Sequence, residues 1–593
     1  MKGKATLLGT IEDVKGSTLK VLLSNESLSG LAYVDGHGYR IGQIGTFIKV
    51  PLGFSFLYGI IVQVGASAVP ENLIDKLPYG TRWMTIQLVG EGSTTKTFQK
   101  GISQFPTIGD EVHLVSEMDL ENIYGKISNV NYINIGNIAN SDSIPALLDI
   151  DKLVTRHCAV VGSTGSGKSN SVSALLQAIN TGNYPKAKII LIDPHSEYHT
   201  ALKDLSKVYS IGGDNPLKIP FWCLSYNELA LILFDKRQAI DTPQDLRIQQ
   251  EILKQKVENA GKLLNGIIPE NQITVDSPIP FDLKKIWYDL YIETNCTVET
   301  KNDFTTISYK LDENNNPLIG NKDTLELPQF KPPGNGGQSP FIYEQSKIML
   351  SYLGKLRGKL LDNRMDFLFD CAEYDGITID LNSLLDAWLN HDKPITILDL
   401  GGVPYNIIDL AVGQITRLSY ETMFWGRKID GIGRQRPLLL VYEEAHTYLP
   451  RGGSGQHVQG YATSAVQRIC KEGRKYGIGA VIISQRPSDL DTSILSQCGT
   501  FIALRLTTSD DQSIIRSYLP DNSGNLSDYL PSLRTGEAII VGEAIKIPSR
   551  VAIREVTPRP DSGDPLPSET WNKTEPAQPD FPQAITNWRK QKI

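Results

Sequence analysis

From Lys4 to about Ser143, apolar and polar positions alternate in short runs such as Thr18-Leu19-Lys20-Val21-Leu22-Leu23 and Thr46-Phe47-Ile48-Lys49-Val50. Glycine-rich breaks at Gly36 to Gly42 and Gly90 to Gly92 separate them. A period of two puts alternate side chains on one face, so the pattern predicts strands. Their shortness predicts a small antiparallel barrel or sandwich over residues 1–148.

The pattern changes near Leu153. An apolar run, Cys158 to Val161, leads into a glycine loop and then a helical stretch from Asn170 to Ile179. A second apolar run, Ile189 to Ile192, ends in Asp193, and further strand-like runs follow at Ile395 to Leu400, Leu438 to Tyr442, Ala480 to Ser484 and Thr500 to Leu506. Continuous apolar strands alternating with helices predict an α/β fold around a parallel sheet. Between Asn227 and Asn390 the chain has long helical segments, Asp245 to Leu264 and Tyr343 to Asp362, broken by the polar stretch Asn314-Asn315-Asn316-Pro317. That predicts a mainly helical insertion at 227–390, dividing the α/β core into 149–226 and 391–556. From Thr557 prolines and acids dominate, which predicts an extended tail over 557–593 with no core of its own. Trp571, Phe581 and Trp588 are its candidate anchors to a neighbour.

At 593 residues the chain exceeds what one hydrophobic core supports, in keeping with several domains. Lys and Arg number 59 against 66 Asp and Glu, a formal charge of -7, so any contact with nucleic acid must be local, as inside a pore. Six scattered cysteines lack the spacing of a zinc site or a disulfide framework. With no secretory-type start and no apolar run approaching ~18 residues, the expected location is cytoplasmic, without a membrane span.

Gly162-Ser163-Thr164-Gly165-Ser166-Gly167-Lys168-Ser169 fits GxxxxGK[ST] between a predicted strand and a helix opened by Asn170. Glycines let backbone N–H groups curl around a β-phosphate, Lys168 reaches the β- and γ-phosphates, and Ser169 ligates Mg²⁺. Residues 162–170 are therefore the predicted ATP-binding set. The apolar run Leu438 to Tyr442 ends in Glu443-Glu444-Ala445-His446. Glu443 is placed to hold Mg²⁺ through water, and Glu444 to orient and deprotonate the attacking water. Gln485, ending the run Ile482-Ile483-Ser484, is a candidate γ-phosphate sensor. Asn321-Lys322-Asp323-Thr324 imitates a guanine-reading motif with its acid one position early, and Asp312 to Pro317 imitates a calcium loop with Pro where Gly is needed. Both are expected to be polar loops.

In this order, the motifs resemble the HerA/FtsK group of hexameric translocase ATPases, and HerA more than FtsK. The marks are Thr155-Arg156-His157 ahead of the phosphate loop, Asp193-Pro194-His195-Ser196-Glu197-Tyr198, Glu443-Glu444-Ala445-His446, and Lys471-Glu472-Gly473-Arg474-Lys475-Tyr476-Gly477 leading into Ser484-Gln485-Arg486-Pro487. The resemblance covers about Leu153 to Val556, with the insertion matching in placement only. It implies a RecA-like core, an N-terminal β-barrel of the HAS type, and a homohexamer with ATP held between subunits. Arg156 matches the family's upstream arginine, and either Arg468 or Arg474 its trans-acting finger. The family commonly has Gly where Ser196 stands and often Arg where Lys471 stands. Its partners imply a nuclease or sirtuin-type NAD-hydrolysing effector docked on the barrel, with duplex DNA in a central pore.

Three functions compete. One is a ring motor for DNA working with such an effector, with bacterial antiphage defence as the expected setting, since the ordinary charged fraction of 21% does not resemble a hyperthermophile. Its repair counterpart is a DNA end-processing motor with a NurA-like nuclease. The second is an ATP-binding scaffold that assembles and activates a partner. The third, a small P-loop kinase, is disfavoured by the long separation of the two nucleotide motifs. The basic, glycine-rich segment Pro450 to His457 is a candidate pore loop.

Overall fold

The computed structural model describes residues 6–24, 31–34, 37–40, 44–67, 81–93, 98–124, 131–139, 144–181, 184, 186–234, 242–264, 266–344, 347–452, 460–518, 521–563, 566–572 and 579–590. Near the N-terminus, strands Leu7–Lys15, Thr18–Leu23, Phe47–Leu52, Ser55–Ser67, Thr81–Ser93 and Glu111–Leu114 form one antiparallel sheet. Thr18–Leu23 also pairs with Thr81–Ser93, so the sheet closes into a six-stranded barrel and leaves no long free edge. Leu19, Val21, Ile48, Val50, Met84 and Ile86 fill its interior with no exposure, the period of two made physical.

Residues 132–149, which the strand pattern groups with this barrel, belong elsewhere. Tyr132–Ile138 and Pro145–Asp149 form a hairpin that joins the larger sheet by pairing Gly136, Asn137 and Ile138 with Ile553, Ala552 and Val551. Local alternation identifies a strand but not the sheet that takes it.

The larger sheet has eleven strands. Seven of them, reaching one edge, are parallel, in the spatial order Thr500–Ala503, Cys158–Val161, Ile478–Ser484, Leu438–Tyr442, Lys188–Asp193, Ile395–Asp399 and Ser206–Ser210. Every residue of Cys158–Val161, Leu438–Tyr442 and Ile478–Ser484 is buried, as expected for strands covered on both faces. Glu537–Gly542, Ser549–Ile553 and the 132–149 hairpin extend it antiparallel. The fold is thus an α/β core of RecA-like type with an N-terminal barrel and an insertion. Barrel residues Tyr58, Ile60, Val89 and Phe98 share one apolar cluster with Ile133, Leu148 and Ile553 of the core. Lys100 Nζ donates to Gly542 O at 2.7 Å across the same junction.

The insertion is helical at its two ends, in Tyr226–Phe234, Pro243–Ala260 and Leu283–Asn295, then in Leu350–Leu360 and Leu381–Leu389. Its middle, 296–349, has no α-helix among the described residues, only the 3-10 turns Phe304–Thr306 and Asn335–Gly337, and the helix expected from Tyr343 begins only at Leu350. There Thr297–Val298 pairs with Phe341–Ile342, and isolated bridges join Tyr309 to Phe330 and Leu311 to Pro317. Pro317, Pro328, Pro332 and Pro333 lack the N–H groups a helix needs. The tail departs from a purely extended strap by two short helices, Pro567–Trp571 and Phe581–Lys590, neither with a buried residue. All six cysteines are free and buried. Among the described residues no helix is long and apolar enough to cross a membrane.

Candidate nucleotide site

The phosphate-loop motif follows Cys158–Val161 at the carboxyl edge of the parallel strands and runs into the helix Lys168–Thr181. Gly165 and Gly167 have φ of +72° and +94°, conformations that side chains rarely adopt. A Cβ at Gly162 would stand 2.6 Å from Ser166 Oγ, and one at Gly167 would stand 2.9 Å from Gly536 N. The loop is held from outside: Ser163 N and Oγ each donate to Arg505 O at 2.9 Å, and Gly536 N donates to Ser166 O at 3.0 Å. Its amides and the helix N-terminus make an anion cradle.

Lys168 lies between the two acids. Its Nζ is 2.7 Å from Glu444 Oε1 and 3.7 Å from Glu443 Oε1. Burial pushes the Glu443 carboxyl up to about 8; Lys168 opposes the shift and Glu444 adds to it. Tyr198 OH donates to Glu443 Oε2 at 2.8 Å and Tyr448 OH to Glu443 O at 2.6 Å, while buried Glu443 Oε1 has no hydrogen-bond partner among the described residues. Glu444 sits in the left-handed region at φ +47°, a strained position for a side chain of its size. Its Oε1 accepts from Gln485 Nε2, its Oε2 is 3.2 Å from His446 Nδ1, and Thr164 Oγ1 donates to Gln485 Oε1 at 2.5 Å. Gln485 therefore links the phosphate loop to Glu444.

Ser169 Oγ donates to Glu197 Oε2 at 2.8 Å. Glu197 and Tyr198 had a motif in the sequence but no role; only the fold shows that their loop faces Ser169 and Glu443. The fully buried Asp193 carboxylate shapes that loop by accepting from His195 N and Tyr198 N at 3.1 Å each, and burial raises it to about 6. Ser196 has φ +59° and donates to Asp399 Oδ1 at 2.7 Å, so the position favours the glycine common in the family. The residues fit a magnesium nucleotide: a cradle that Cβ atoms would fill, a hydroxyl at the helix start, a buried lysine and an unpaired carboxylate oxygen 3.7 Å from that lysine. Among the described residues no group of three His, Cys, Asp or Glu forms a metal cage of its own.

Other predicted residues are placed differently. Asn170 is not free to meet phosphate: its Nδ2 donates to Arg554 O and its Oδ1 accepts from Val556 N, both at 3.0 Å. Arg156 precedes its strand, and therefore lies at the amino edge, the length of that strand from the phosphate loop, with its Nε 3.6 Å from Glu543 Oε2. On the helix Tyr461–Tyr476, Arg468 stacks 4.2 Å over Tyr420 and bonds Glu421 at 2.8 Å. Arg474, in the last turn, is exposed. None of the three arginines has a contact with the phosphate loop of its own chain among the described residues. Of the candidate pore loop, Pro450, Arg451 and Gly452 are described; Arg451 N donates to Asp489 O at 2.7 Å, and Gly453 to His457 lie outside the described residues.

The model of the HerA helicase central domain matches residues 133–419. Over those residues the chain is similar to the HerA helicase family. Relatives include the DNA double-strand break repair helicase HerA of Sulfolobus acidocaldarius, 25% identical over 472 residues, covering 79% of this chain and 77% of that protein. The HerA of Pyrococcus furiosus is 26% identical over 459 residues, covering 75% and 73%. Among solved structures, VirB4 of Thermoanaerobacter pseudethanolicus is similar at a TM-score of 0.44 and 16% identity, over 75% of this chain and 99% of that one. The bacterial conjugative coupling protein TrwB gives 0.41 and 14%, over 76% and 94%. This chain is an ATPase.

Proposed function

We propose that the chain is an ATP- and Mg²⁺-dependent ring motor, a homohexamer that moves duplex DNA through its pore for a nuclease or NAD-hydrolysing effector docked on the HAS-like barrel. The setting we favour is antiphage defence inside the cell. The observation that carries the motor is the connected set Lys168, Glu444, Gln485 and Thr164, in which the candidate base and the candidate sensor already touch. Such a set lets a change at the phosphate loop be felt at Glu444. In this reading Lys168 binds the β- and γ-phosphates, Ser169 and Glu443 hold Mg²⁺ directly and through water, and Glu444 accepts the proton of the attacking water. Bound Mg²⁺ neutralises charge on the phosphates. Arg156, Arg468 and Arg474, all remote from their own phosphate loop, are candidates to act on a neighbour's. DNA is supported by the relatives' names as DNA double-strand break repair helicases.

A scaffold that activates a partner is the second reading, favoured by the net charge of -7 and by the way the barrel packs on the core. The ATPase rate with and without duplex DNA, for wild type and Arg451→Ala, separates the two. Stimulation that Arg451→Ala abolishes supports the motor, and sensitivity that falls steeply with salt marks phosphate contacts. A rate indifferent to DNA but changed by the partner supports the scaffold.

A further inference from the structure

The segment that follows the last core strand, residues 554–561, runs along the nucleotide site and is pinned to it at two places. At one end Asn170, next to Ser169, brackets it through Arg554 O and Val556 N, while Arg554 Nη2 reaches Ala174 O at 3.3 Å. At the other, Asp561 meets the outer side of the 193–200 loop. Its N donates to Glu197 O at 2.8 Å, Thr200 Oγ1 donates to its Oδ2 at 2.5 Å, and His199 Nε2 stands 3.4 Å from the same oxygen. The inner side of that loop presents the Glu197 carboxylate to Ser169 Oγ and the Tyr198 hydroxyl to Glu443.

We infer that Asp561 is a positioning residue of the nucleotide site: its carboxylate ties down Thr200 and His199, which follow Glu197 and Tyr198 in the loop, and so keeps the Glu197 carboxylate on Ser169, the residue that would hold Mg²⁺. The inference rests on the reading of Ser169 as a magnesium ligand. A carboxylate that hydrogen-bonds a metal ligand or its waters orients them, and its own support matters in turn. Thr200, His199 and the Glu197 carbonyl give Asp561 three attachments within four residues, so the segment constrains this loop rather than merely lying across it. The sequence separates Asp561 from Glu197 by most of the chain, which is why no local pattern pairs them.

The test is a Mg²⁺ titration of the binding of a fluorescent, non-hydrolysable ATP analogue to the full-length protein, repeated in EDTA. Asp561→Ala should raise the Mg²⁺ concentration for half-saturation about tenfold, the lower end for losing an outer partner of a metal site. Binding in EDTA and the melting temperature should stay at wild-type values. Thr200→Val, which removes one attachment only, should shift the midpoint in the same direction by less, and Asp561→Asn, which keeps the acceptor, should recover most of the loss. An unchanged midpoint in Asp561→Ala overturns the inference, as does a loss of equal size in EDTA. Lys168→Ala separates this from the site reading: if that variant binds the analogue normally, the nucleotide site itself is misplaced.

Discussion

The two edges of the parallel sheet use polar groups in opposite ways. At the carboxyl edge Glu443 is buried with an oxygen unpartnered, Glu444 is strained, and Lys168 is shared between them. At the amino edge His157 is a buried titratable group that is satisfied: its Nδ1 accepts from Ala480 N at 3.1 Å and its ring bonds the backbone of Cys470. Both positions have positive φ, at +47° and +58°, yet only Glu444 has its carboxylate turned into a cluster of charged and polar groups. An unpaired buried carboxylate oxygen marks the working edge, and a paired buried imidazole the structural one.

Substitutions at the carboxyl edge should therefore remove function and spare the fold. Lys168→Ala should abolish analogue binding. Glu444→Gln should keep binding and lower hydrolysis by about 10²- to 10⁴-fold, read as kcat in a steady-state assay. A Glu444→Gln protein that hydrolyses normally would erase the distinction between the edges. The converse holds at the amino edge. A Cβ at Gly479 would stand 1.8 Å from Val154 O, so Gly479→Ala should cost about 3 kcal/mol in urea unfolding while folded protein still binds the analogue.

His157 gives a smaller effect with a definite sign. Burial lowers its pKa to about 4, below the ordinary 6.5, so the unfolded chain takes up a proton at this site that the folded one refuses. Its contribution to stability is intact above pH 6.5 and is lost as the pH falls from there to about 4. His157→Asn, which tolerates the positive φ, should make that decline shallower in denaturation midpoints measured across the window. Smallest of all is Ser196→Gly, where relief of about 1 kcal/mol of left-handed strain opposes the loss of one hydrogen bond of about 1 kcal/mol. Its melting temperature should move by only a few degrees.

The parallel strands and the phosphate loop were legible because both signals are local: a fully buried strand reads as a continuous apolar run, and the loop needs glycine at fixed spacing. Cys158–Val161 and Leu438–Tyr442 fall where the apolar runs placed them. The hairpin at 132–149 was not, since alternation is the same whichever sheet accepts the strand. The insertion was read from its helical ends, while 296–349 has neither period nor apolar density to announce its bridges. Within the site, Lys168 and the acid pair came from type and spacing. Glu197 and the bond of Thr164 to Gln485 join residues far apart in the chain, and only the folded sheet brings them together.

The six enclosed thiols have a practical side. Burial raises the pKa of each, so few are thiolates at neutral pH and the folded protein is a poor target for maleimides. A seventh cysteine, introduced by Gly452→Cys in the exposed, described start of the candidate pore loop, where an added Cβ meets nothing within 4 Å, would then be the preferred site for a dye. No native cysteine would first have to be removed, and the fluorescence of that one label would follow the loop through each cycle of hydrolysis.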